Sequence, residues 1–155
     1  MVQRQTLSLA EAAQYLLDEC RMVLPGIQAL FGFQLIVVFN PGFDQKLNAV
    51  EQDLHLTAIA LVAIAVAIIM TPAAYNRQTA PMEVTSDFIR LSTRLLLWSM
   101  CPLAVAISLD LYLIGRVIAG SLVGGLLSAV VFALYAMLWF VLPRVGSSSL
   151  VRDGL

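Results

Sequence analysis

The chain has 155 residues, of which 60% are apolar and 12% charged, with a formal net charge of -1. Soluble domains average about 45–50% apolar and about 25% charged, so water is excluded as the solvent for most of this surface. The charge balance, nine Lys+Arg against ten Asp+Glu, excludes the basic footprint of a nucleic-acid-binding protein.

The expected fold is all-α: one integral membrane four-helix bundle over 1–155 with an N-terminal amphipathic helix. A hydrocarbon core about 30 Å thick takes about 20 helical residues per crossing, so four crossings use about half of the chain. The first residues lack the continuous apolar stretch and cleavage site of a signal peptide, so nothing is expected to be removed.

Leu9, Ala12, Ala13, Leu16, Leu17 and Cys20 recur at helical spacing, with Glu11, Gln14, Asp18 and Arg21 opposite them. This predicts an amphipathic helix over about 8–22, begun by a Ser8/Glu11 capping box. Its acidic polar face would be repelled by anionic lipid, which favours docking on its own bundle or a sister subunit over lying in the lipid interface. Pro25 and Gly26 then predict a bend or break before the first crossing, about 23–39. Gln28 and Gln34 lie in that apolar stretch and need hydrogen-bond partners, across helices or along a polar path.

Asn40, Pro41 and Gly42 predict a turn, after which Asp44 is expected to cap an overlong second helix whose membrane part covers about 54–75. His55, the sole histidine, follows Glu51 by one turn near the boundary, a spacing read as a solvated pair or a proton site. The third crossing, about 95–113, contains Pro102, where a kink is expected, and Asp110, the strongest candidate for an ionisable group within the membrane. Asp110 either joins a polar transport network or pairs with Arg116 at the outer turn.

The fourth crossing, about 117–142, carries two ridges of small residues: Gly120, Gly124 and Ser128, and beside them Ser121, Gly125, Ala129 and Ala133. Helices in lipid associate through close backbone approach, so the ridges are read as a packing interface, between subunits or within one chain. Cys20 and Cys101 fall at different predicted depths and are expected to stay unpaired. No catalytic constellation, metal-ligand spacing or cofactor motif appears, so no enzyme, metal or cofactor is expected.

Orientation follows from the positive charges. Arg4, Arg21, Arg77, Arg90, Arg94, Arg144 and Arg152 fall on one side and only Lys46 and Arg116 on the other, which predicts both termini in the cytoplasm. The lipid bilayer is thus the first partner, joined by sister subunits or a larger membrane complex. Two function classes fit: a homo-oligomeric ion channel or carrier using Gln28, Gln34, Asp110 and His55, or an accessory subunit presenting its small-residue ridge to a partner.

The strings LPGIQALFGFQL, Leu24 to Leu35, and PAAYNR, Pro72 to Arg77, resemble a family of small bacterial four-helix membrane proteins catalogued as a domain of unknown function. The resemblance covers about 10–142 and implies this architecture and a bacterial plasma membrane. Some members are labelled sodium:proton antiporters. The family commonly has histidine where this chain has Asn76, so no proton or metal role carries over to that position.

Overall fold

A computed structural model describes residues 8–79 and 84–144. Arg4 and Arg152, two of the charges behind the predicted orientation, lie outside the described residues. Four helices are long and apolar enough to cross a membrane: Leu9–Val38, Ala49–Gln78, Ser86–Ala119 and Ser121–Arg144. The protein is an all-α, multi-pass membrane protein.

Helix α1 (Leu9–Val38) opens on the expected capping box. The Ser8 N–H donates to Glu11 Oε2 at 2.8 Å, and the Glu11 N–H to Ser8 Oγ at 3.3 Å. Contrary to the expected break, α1 runs through Pro25 without interruption. A proline removes one hydrogen bond from the ladder, but both sides of it bury the same stripe. Ala13, Leu16, Cys20, Ile27 and Gln34 are the buried residues of α1. The last four recur at steps of four, seven and seven, so one continuous helix keeps the stripe in phase. The amphipathic segment therefore docks on its own bundle, where Leu16, Cys20 and Ile27 join a core with Ala58, Val62, Ile69 and Ala106.

After α1, Gly42 turns the chain with φ 107°, a conformation that favours glycine, into the short helix α2 (Phe43–Lys46). Asp44 caps no long helix. The cap of α3 (Ala49–Thr79) is Asn48, whose Oδ1 accepts from the Glu51 N–H at 3.1 Å while the Asn48 N–H donates to Glu51 Oε2 at 2.9 Å. Reciprocal capping satisfies two donors that a helix start otherwise leaves orphaned, which fixes α3 four residues later than expected. The helix then continues through the buried Pro72 to Thr79.

Helix α4 (Ser86–Ala119) likewise runs through Pro102, and a single residue, Gly120, separates it from α5 (Ser121–Ala136). One π-helical turn, α6 (Met137–Val141), continues the fourth crossing. Gly120 sits at φ 92°, ψ 167°, a region open essentially to glycine alone. Gly120→Ala should cost about 1–3 kcal/mol, measured as loss of thermal stability in lipid nanodiscs.

Glycine also sets the α4–α5 contact. A Cβ on Gly115 would lie 2.8 Å from Gly124 Cα, and one on Gly124 would lie 2.6 Å from Arg116 N and 2.7 Å from Tyr112 O. Four residues on, Ser128 Oγ donates to the Ser108 carbonyl at 2.7 Å. Gly124 and Ser128 thus pack within the chain, against α4. Ser121 and Ala129 are exposed, and nothing lies within 4 Å of where a Gly125 Cβ would stand. The two ridges face different ways.

Candidate functional site

Polar side chains gather where α1 ends and α3 begins. On α3, Glu51 and His55 extend the buried series Ala58, Val62, Ala65 and Ile69, whose spacing alternates three and four residues. That phase, rather than distance from the apolar run, decides their burial: Glu51 is 4% and His55 5% exposed. On α1, Gln34 stands seven residues beyond Ile27 on the buried stripe and is 3% exposed. Asp110 on α4 meets both. At 1.5 Å per residue, these three groups lie about 6–14 Å inside the ends of their helices.

The contacts differ from those the spacing suggested. Asp110 does not pair with Arg116, and His55 does not pair with Glu51. Gln34 Nε2 donates to Asp110 Oδ2 at 2.7 Å, and His55 Nδ1 stands 3.4 Å from Asp110 Oδ1. The other imidazole nitrogen, Nε2, lies 3.0 Å from the Gln34 backbone carbonyl. Arg116 instead forms an ion pair with Glu51 and reaches the Lys46 carbonyl at 3.4 Å, tying the end of α4 to α2 and the start of α3. Glu51 was already committed to its cap at Asn48, which aims its carboxylate towards the helix end and Arg116. His55, one turn deeper, faces α1 and α4.

The tautomer of His55 follows from its partner. A carbonyl oxygen only accepts, so the hydrogen-bonded Nε2 carries hydrogen. A neutral imidazole holds one such hydrogen, which leaves Nδ1 presenting a lone pair to the Asp110 carboxylate. Two acceptors facing each other repel, and one additional proton between them removes the conflict. Nδ1 and Asp110 Oδ1, 3.4 Å apart, are thus placed so that one proton between them can serve both.

The Phe43 ring of α2 stands over His55, with centroids 5.7 Å apart. Beside the pair, a cavity of about 530 Å³ lies between α1 and α4, with Gln34, His55 and Asp110 among its lining residues. Gln34 Oε1 is buried and has no hydrogen-bond partner.

Of the residues singled out in the sequence, Gln34, His55 and Asp110 are thus brought together. Gln28 is not: it is exposed on the outer face of α1, away from the buried stripe. Glu51 and Arg116 complete the polar end of the bundle, and the seam phase on α3 is the signal by which Glu51 could have been found. Among the described residues, no group of three or more His, Cys, Asp or Glu side chains is placed to hold a metal ion.

No curated protein and no solved structure matches the chain. Residues 8–143 match the sequence model of a family of unknown function, DUF6328, and with nearly the whole chain covered, the protein belongs to that family.

Proposed function

We propose that the chain is a proton-carrying membrane protein, acting as a homo-oligomer in a bacterial plasma membrane with both termini in the cytoplasm. The observation that carries this reading is the His55–Asp110 pair. With Nε2 fixed as a donor to the Gln34 carbonyl, the pair takes up and gives back one proton. It lies at the end of the bundle holding the α1–α3 turn, which the arginine distribution assigns to the outer side.

Within one chain, the way to the opposite end is closed by Ala58, Val62, Ile69 and Ala106, all fully or nearly fully buried. A complete path therefore needs either a shift of the helices or polar groups lent by a second copy. The outward ridge of Ser121, Gly125 and Ala129 supports the latter, because its lack of side chain lets another helix approach closely. The same ridge also supports a second reading, an accessory subunit of a larger membrane complex. Native mass in lipid separates a self-assembly from a foreign partner.

Purified protein in liposomes carrying a pH-sensitive dye should pass protons, and Asp110→Asn should reduce that flux at least about tenfold, in the range by which positioned acid–base groups act. Gln28→Leu should leave it unchanged. Wild-type flux in Asp110→Asn removes the proposed role.

A further inference from the structure

The cavity beside the proton pair has one chemical character on its walls and another on its floor. Leu30 and Phe33 of α1, Phe43 of α2, and Ile107, Leu111 and Ile114 of α4 make the walls. Phe33 and Ile114 are more than half exposed, so the cleft opens sideways between α1 and α4, towards the hydrocarbon of a bilayer. The volume of about 530 Å³ suits a small organic molecule.

On the floor, once the shared proton has left, two acceptors stand together. They are the Asp110 carboxylate and the lone pair of His55 Nδ1. Gln34 Oε1, a further oxygen that no donor meets, is enclosed and not open to the cavity. The two donors there are already used: Gln34 Nε2 on Asp110, and His55 Nε2 on the Gln34 carbonyl. A largely buried carboxylate without a counter-charge is unfavourable, so a ligand that brings N–H groups and a positive charge recovers what the protein leaves unmet. The other charged groups nearby are Lys46, exposed at the cavity's rim, and Glu51, neutralised by Arg116. The negative charge available inside the cleft is that of Asp110.

We propose that this cleft binds a lipophilic primary or secondary ammonium compound, entering from the bilayer, whose N–H groups replace the proton shared by His55 and Asp110. This rests on the proton-site reading above. The exchange is balanced: the ammonium ion enters, the pair releases its proton to water, and the floor stays neutral overall. Binding and protonation then exclude each other. Where the pair holds its proton, each unit of acidification should weaken binding tenfold.

Because His55 is the sole histidine, nitrogen-15 labelling of histidine gives one imidazole and an unambiguous readout. Untagged full-length protein in nanodiscs is titrated with 4-phenylbutylamine at a pH where Nδ1 reads as protonated. The expected result is a saturable change of the Nδ1 resonance to its unprotonated position, tenfold weaker per pH unit downwards and lost in Asp110→Asn. The matched alcohol 4-phenylbutanol and the trimethylammonium analogue, which lack respectively the charge and the N–H, should bind at least tenfold more weakly. Equal binding of either analogue overturns the assignment, and so does an amine that only partitions into lipid and leaves His55 unmoved. Proton flux without an amine response rejects this site alone. A saturable amine response without flux rejects proton carriage and leaves the site standing.

Discussion

Gly124→Leu should uncouple the fourth crossing from the third and cost about 3 kcal/mol or more, the upper range for overpacking a close contact. The first carbon added at Gly124 would already meet the backbone of Arg116 and Tyr112 at 2.6 and 2.7 Å. Backbone cannot rotate out of the way as a side-chain tip can, so the helices must separate. Separation also pulls Ser128 from the Ser108 carbonyl and Gly124 from Gly115. Unfolding in mild detergent should show the loss, together with a shift towards aggregated material. Gly125→Leu, one residue away, provides the contrast. Its side chain enters open space, so the chain's own stability should change by no more than about 0.5 kcal/mol. If copies meet through the outward ridge, Gly125→Leu lowers the native mass in lipid while Gly124→Leu damages each chain by itself.

The second large effect lies at Arg116. Removing the guanidinium by Arg116→Met leaves the Glu51 carboxylate buried without its ion-pair partner, and such a loss costs about 3–5 kcal/mol. The double variant Glu51→Gln with Arg116→Met should recover most of it. Glutamine is neutral, and its amide oxygen can still accept from the Asn48 N–H that Glu51 now caps. Chemical unfolding of the wild type, both single variants and the double variant measures this coupling. If the double variant is no more stable than Arg116→Met alone, the pair's importance lies in the reach of Arg116 to the Lys46 carbonyl rather than in its charge.

How much of this was legible depended on which physical signal each feature leaves. Four crossings were readable because hydrocarbon imposes length and apolarity on a long stretch of sequence. The capping box at Ser8 was readable because its whole geometry lies within four residues. The break expected at Pro25 did not occur, since a local rule about one lost hydrogen bond yielded to a buried stripe that spans both sides of it. For the polar end, the residue types were evident but the pairings were not. Gln34 and Asp110 are 76 residues apart, and Glu51 and Arg116 are 65 apart, so no spacing rule links them. Burial, by contrast, does follow from spacing: carried back from Ala58, the three-and-four alternation of α3 places His55 and Glu51 on the core face.

The single-residue link at Gly120 also bears on how copies of this chain can combine. The chain reverses there only while Gly120 keeps φ 92°, ψ 167°, and helical angles at that one residue would join α4 and α5 end to end. Short hinges under strain are the ones that invite two protomers to exchange a helix. What holds the fourth crossing to its own chain is therefore the close Gly115–Gly124 approach and the Ser128–Ser108 hydrogen bond, not the shortness of the link.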